Sequence, residues 1–253
     1  MTPAGRLMVV GLGPGPERWL TAEAQALLAE ATDIVGYGPY VDRVPPSAAR
    51  RHASDNRVEL DRARHALELA EAGARVAVVS GGDPGVFAMA AAVFEAVEAG
   101  PPAWRGLDIL VAPGITAMLA AAARLGAPLG HDFCAISLSD NLKPWAVVEK
   151  RLVAAAAADL VIALYNPASK ARPDQIGRAF EALRSAVGER LVILAKAVGR
   201  PDETIIRTSL AAVDPREVDM RTLVIIGSAA TRVIERPEGE AWVYTPRRWE
   251  EGA

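Results

Sequence analysis

Two short stretches concentrate residue types that bind or transfer groups. SGGDPG, residues 80–85, follows a β-branched run and sets Gly81 and Gly82 ahead of Asp83 and Pro84. Aspartate before proline is a helix-start signal: the carboxylate accepts backbone N–H bonds and proline fits the first helical position. Val86, Ala90, Val93 and Val97 then follow one helical face. The same glycines would let a ligand approach the main chain, and a helix start offers N–H groups to a carboxylate or ribose. Both readings hold together. GLGPGPE, residues 11–17, resembles two nucleotide loops without matching either. A Walker loop needs lysine and then Ser or Thr after its last glycine, where this chain has Pro16, Glu17 and Arg18. A dinucleotide fingerprint needs Gly or Ala at Pro16, so Gly11, Gly13 and Gly15 match it only loosely, and a plain strand-to-helix turn is the alternative.

Acid–base candidates cluster further on. His131 in GHDF would titrate near neutrality with Asp132 to orient it, and Asp140 and Lys143 in SLSDNLKPW stand just before a helix start at Pro144. Their competing roles are structural: a packed histidine, and Ser139 or Asp140 capping that helix. His52 and His65 rank lower, His65 falling on the charged side of its helix. The lone cysteine, Cys134, forms no internal disulfide and by itself holds neither zinc nor an iron–sulfur cluster; no metal site is expected, and a reducing compartment is.

These residues need a scaffold, and short β-branched runs alternate with helical periodicity along the chain. Leu7–Val10, Asp33–Gly36, Arg75–Ser80, Asp108–Ala112, Leu160–Tyr165, Leu191–Ala195 and Leu223–Ile226 read as buried strands. Ala24, Leu27, Leu28 and Ala31 form a helical stripe after a Thr21 cap, as do Leu60, Ala63, Leu67 and Ala70 before Gly73. This is an α/β pattern with mostly parallel sheets, whose ligands sit at the carboxyl ends of strands, where both glycine-rich turns fall. Turn residues at 111–116 and 125–133 place a domain boundary near Pro113, giving domains 1–113 and 114–253. With 253 residues, 51% hydrophobic, the chain can bury a full core. A net charge of -3 disfavours nucleic acid or an anionic membrane as partner. No apolar run approaches the roughly 20 residues of a membrane span, and the opening residues lack a signal-peptide core, so a soluble cytoplasmic protein is expected.

VVGLGPGPERWLTAEA, SGGDPGVFAMA, APGITAM, LYNPASK and TLVIIGS, in this order, resemble the tetrapyrrole methylases, which use S-adenosylmethionine to methylate corrin precursors and related macrocycles. GYGPYVD, AAAARLGAPLGHDFCAISLSDNLKPW and AKAVGRPDE resemble those members that methylate carbon 17 of a precorrin and contract its ring. The resemblance implies a two-domain α/β fold, class III among methyltransferases, usually homodimeric, with the cofactor in a cleft between domains. By family position Pro14, Gly81, Gly82, Asp83, Val86, Thr116, Ala117, Asn166 and Val198 contact the cofactor. Asn166 replaces a methionine and Val198 a glycine of the uroporphyrinogen methylases, and Thr116 also reads as a helix cap. The first loop, with Gly13 and Gly15, would face the macrocycle. Ring contraction calls for a general acid and base, roles open to His131, Asp140 and Lys143. Arg43, Arg50, Arg51, Lys143, Lys170 and Arg172, in loop-like segments, are candidates to bind the rim carboxylates of the tetrapyrrole substrate. Methylation of another ring position, a cobalt-containing substrate, and a module that only sequesters a corrin are the alternatives.

Overall fold

The β-branched runs become the central strands of two sheets. The computed structural model describes residues 5–56, 58–169 and 171–248. The chain divides into two compact units, Met1–Thr116 and Ala117–Ala253.

In the first unit the order is β1 (Arg6–Gly11), α1 (Ala22–Glu30), β2 (Asp33–Tyr37), α2 (Gly38–Val41), β3 (Arg50–Ser54), α3 (Glu59–Glu71), β4 (Arg75–Ser80), α4 (Met89–Ala99) and β5 (Asp108–Ala112). The sheet order is β3-β2-β4-β1-β5, and every pairing is parallel. Alternation sorts its side chains to two cores. Met8, Val10, Ile34 and Val79 pack with Leu27 and Leu28 of α1, whereas Leu7, Val9, Val35 and Val78 pack with Leu67 of α3 and Val93 of α4. Thr21 caps α1, its hydroxyl accepting from the Ala24 amide at 3.0 Å. The helix start expected at Asp83–Pro84 is displaced: α4 begins at Met89, its cap residue Ala88 gives no side-chain bond, and the Met89 amide instead donates to Ser80 Oγ at 3.2 Å.

The second unit runs α5 (Ala117–Leu125), β6 (Gly126–Ala127), β7 (Phe133–Ser137), α6 (Trp145–Ala157), β8 (Val161–Tyr165), α7 (Gln175–Val187), β9 (Leu191–Lys196), β10 (Thr204–Ser209), β11 (Thr222–Ile226), β12 (Arg232–Ile234) and β13 (Trp242–Tyr244). Its sheet order is β10-β9-β11-β8-β7, and here the parallel expectation gives way. Only β7 and β8 pair in parallel; β11 runs antiparallel to both β8 and β9, and β10 antiparallel to β9. Residues 197–203 between β9 and β10 are too few for a crossover helix, so the strand must turn back on its neighbour. Leu152 of α6 and Ile176 and Leu183 of α7, all fully buried, cover Ile162, Leu164, Val192 and Val224. A small sheet, β12-β13-β6, completes the unit. Among the described residues no helix is long and apolar enough to cross a membrane.

Candidate functional site

In the first unit, the carboxyl ends of β1, β4 and β5 bring three loops into contact. Gly13 and Gly82 exchange two backbone hydrogen bonds, of 3.1 and 3.0 Å, and both adopt positive φ, +64° and +73°. A methyl group on Gly114 would lie 2.3 Å from the Gly82 carbonyl oxygen and 2.9 Å from Gly11, so the three loops meet backbone to backbone. Gly81 is required for another reason: a Cβ there would sit 2.7 Å from the Tyr40 ring. The glycines are therefore explained first by packing between loops.

Asp83 ties this knot. Its Oδ1 accepts from the Gly85 amide at 2.8 Å and its Oδ2 from the Gly114 amide at 3.0 Å. It does not cap α4, because the turn from Pro84 to Ala88 separates them, including Phe87 at φ +53°. Val86 is half-buried in this turn, and Thr116 is buried just ahead of α5. Pro14 and Gly15 lie in the first loop, half-buried.

The basic residues of this unit are occupied with the protein itself. Arg43 Nη2 donates to the carbonyls of Leu12, Gly13 and Gly15, at 3.2, 2.9 and 3.0 Å, and so holds the first loop. Arg50 and Arg51 do not lie in a loop as their sequence suggests; they open β3. Arg51 donates to the carbonyls of Val41, Val44 and Pro45. Arg50 grips the fully buried Asp33 carboxylate at 2.9 and 3.1 Å, at the amino end of the parallel strands, away from the glycine loops. His52 bonds Asp33 at 2.8 Å, and His65 Nε2 lies 3.2 Å from His52 Nδ1. Burial would raise the Asp33 pKa, but hydrogen bonds from Arg50, His52 and Thr32 outweigh it and hold the carboxyl below its ordinary range.

The second unit gathers a different set at the carboxyl ends of β7 and β8. Asp140 Oδ2 accepts from Gln175 Nε2 at 3.1 Å, and its Oδ1 faces Arg172 Nη1 at 3.7 Å. Two backbone bonds between Ser169 and Arg172, of 3.0 and 2.9 Å, fix the loop that carries the guanidinium. Lys143 Nζ donates to the Ser139 carbonyl at 3.1 Å. Burial pulls the Lys143 pKa below its ordinary value, Arg151 and Arg172 push it further down, and Asp140 opposes them. Neither Ser139 nor Asp140 caps α6, whose cap position is Pro144. Lys170 lies outside the described residues.

His131 does not join this group. It precedes β7, whereas Asp140 follows it, so the length of the strand separates them; its Nδ1 accepts from the Asp132 amide at 2.8 Å. Asn166 and Ala197, at φ +52° and +53°, follow β8 and β9, and Val198 beside Ala197 is buried. Asn166 Nδ2 donates to Ser137 Oγ at 3.0 Å, and Ala117 starts α5, whose Met118 amide donates to Tyr165 Oη at 3.0 Å. Burial pushes the Cys134 thiol pKa up, which disfavours its thiolate form. Among the described residues no group of His, Cys, Asp and Glu could hold a metal ion. Gln175 and Gly114 were not singled out from sequence. Their partners lie 35 and 31 residues away, and no local pattern reports such pairings.

Residues 6–214 match the profile of the Tetrapyrrole (Corrin/Porphyrin) Methylases. The chain is 57% identical over 245 residues to a precorrin-3B C(17)-methyltransferase from a Sinorhizobium species, covering 96% of each protein. It is similar to the crystal structure of the methyltransferase CobJ, with a TM-score of 0.91 and 57% identity over 96% of this chain and all of that one. A uroporphyrin-III C-methyltransferase from Thermus thermophilus, solved with S-adenosyl homocysteine, shares the fold at a TM-score of 0.68 and 22% identity, covering 88% of this chain and 97% of that one.

Proposed function

The chain belongs to the tetrapyrrole (corrin/porphyrin) methylases, and we propose that it methylates carbon 17 of precorrin-3B with S-adenosylmethionine and contracts the ring to precorrin-4, a step of cobalamin synthesis. The observation that carries this reading is the 57% identity to a precorrin-3B C(17)-methyltransferase along 96% of both chains. The reading also takes the enzyme as a cytoplasmic homodimer.

S-adenosylmethionine supplies a methyl group on a sulfonium that departs as a neutral thioether, so no acid is needed to release it. What the chain must supply is position, an effect worth on the order of 7–11 kcal/mol when reacting groups are held in line. The first-unit loops fit that task. Each Asp83 oxygen takes one amide N–H and keeps acceptor capacity for a ribose hydroxyl, on a loop pinned to Gly13 and Gly114. Backbone held at positive φ in non-glycine residues, as at Phe87, Asn166 and Ala197, costs of order 1–3 kcal/mol each and is typical of ligand-clamping turns. In this reading Pro14, Gly81, Gly82, Asp83, Val86 and Thr116 of the first unit serve the cofactor, and Ala117, Asn166 and Val198 of the second are candidates by sequence position.

Arg43 serves the macrocycle indirectly, by fixing the loop of Gly13 and Gly15. Of the candidate cations, Arg172 and Lys143 remain for rim carboxylates, with Lys170 beside them in sequence. Methyl transfer leaves the ring with the positive charge of the sulfonium; in contraction a ring C–C bond breaks at the hydroxylated carbon and its electron pair re-forms a bond to the adjacent electron-poor carbon, C–OH becomes C=O, and the hydroxyl proton is released. In this reading Asp140, half-buried beside Arg172 and Gln175, is the carboxylate that accepts it. His131, on the far side of β7, is the weaker candidate.

The test is incubation of the purified protein with S-adenosylmethionine and precorrin-3B under anaerobic conditions. A mass gain of one methyl with stoichiometric S-adenosylhomocysteine supports the reading. Turnover of only a cobalt-loaded precursor would keep the methylase and reassign the substrate; tight binding without turnover would favour sequestration.

A further inference from the structure

We propose that Gln175 is a positioning residue for Asp140: its side-chain amide, with the Arg172 guanidinium, holds that carboxylate oriented to take the proton released on ring contraction. The inference rests on the reading of Asp140 as the base of that reaction. Gln175 is the first residue of α7, and at 7% exposure it is buried like the apolar residues that pack this helix. An uncharged amide in such a place costs free energy unless its polar atoms are used. Its Nε2 is used on Asp140 Oδ2 at 3.1 Å, while Oε1 is buried with no hydrogen-bond partner among the described residues. Packing alone would be served better by leucine or methionine, so the contact with Asp140 is what the glutamine adds. Arg172 is likewise incompletely used: its Nε and Nη1 are buried without hydrogen bonds, and Nη1 faces Asp140 Oδ1 at 3.7 Å. The two partners thus address the two oxygens of one half-buried carboxylate.

The charges near Asp140 come from two loops. Arg172 approaches on the loop ahead of α7, and Lys143, itself under the charge of Arg151, belongs to the loop of Asp140. All are cationic and favour the carboxylate. Gln175 adds a neutral donor at a fixed angle, which orients as well as stabilises.

Gln175→Met keeps the volume and removes the donor; Gln175→Glu keeps the shape and sets a second carboxyl beside Asp140. The pH profile of contracted product formation should show the acid limb moving up by about one pH unit in Gln175→Met, the worth of one hydrogen bond to a charged group. It should move further in Gln175→Glu, with kcat falling in both and affinity for S-adenosylhomocysteine unchanged. If both variants keep the wild-type acid limb while losing only stability or overall rate, Gln175 is structural and the proposal is wrong. A carbon-13 titration of Asp140 requires no turnover. A raised Asp140 pKa in Gln175→Met, in a wild type that leaves precorrin-3B unchanged, would uphold the held carboxylate and overturn the assigned reaction; an unmoved one would overturn the proposal itself.

Discussion

Replacing Asp83 by alanine removes a side chain that joins the β4 loop to the β5 loop. Two hydrogen bonds are lost, and they are unequal. The Gly85 amide is exposed and regains water, so its loss costs about 0.5 kcal/mol. The Gly114 amide is partly buried and bonded to a charged acceptor, and that bond contributes about 1.5–3 kcal/mol. Asp83→Ala should therefore destabilise the first unit by about 2–3 kcal/mol, a large part of the roughly 5–15 kcal/mol of a typical domain. The turn from Pro84 to Ala88, with Phe87 at φ +53°, loses its anchor at the same time. Urea unfolding gives the stability, and calorimetric titration with S-adenosylhomocysteine gives the affinity, which should drop at least about tenfold, the equivalent of roughly 1.4 kcal/mol. Wild-type stability in Asp83→Ala would refute the claim that this carboxylate joins the loops. Wild-type affinity with reduced stability would refute its place at the cofactor.

Gly114→Ala should fail to fold normally or lose more than about 3 kcal/mol, because its methyl would lie 2.3 Å from the Gly82 oxygen, against backbone that cannot yield; Gly38→Ala, with nothing within 4 Å of the added methyl, should be neutral or slightly stabilising in the same unfolding assay. Arg43→Met should raise KM for the macrocycle and also weaken S-adenosylhomocysteine binding, since three carbonyls around Pro14 lose their donor in a loop that Gly13 joins to Gly82; steady-state kinetics beside calorimetry measures both. Asp33 has a depressed folded pKa, so its contribution to stability is complete above the unfolded value of about 4 and disappears as pH falls through the lower folded value. Urea midpoints measured across that acidic window should fall more steeply in the wild type than in Asp33→Asn.

The sheets were legible where strands are buried on both faces, and of the four edge strands of the two large sheets only β5 was read. β1, β4, β8, β9 and β11 are continuous apolar runs because neighbours and helices cover them completely. Of the unread strands, β3, β7 and β10 are edges of the two large sheets, and β6, β12 and β13 make up the small third sheet. RRHAS of β3 has hardly any apolar content and no buried residue; it is held by Arg50, Arg51 and His52 bonding Asp33 and loop carbonyls, partners that no period-two pattern announces. Asp83–Pro84 misled for a local reason: the signal of a helix cap is real, but Ser80 takes the Met89 amide and Asp83 turns to Gly114 instead. Of the candidate site, the loops themselves were visible in the motifs, as were Asp140 and Lys143. Which arginines are already committed to carbonyls, and that Gln175 reaches Asp140, depends on how separate loops meet.

The central claim is carbon-17 methylation of precorrin-3B, and the most direct measurement is NMR of the product formed with carbon-13 methyl S-adenosylmethionine. A single labelled methyl on carbon 17 of a contracted ring is the predicted result. Label at any other carbon, or a methylated ring that has not contracted, would contradict it.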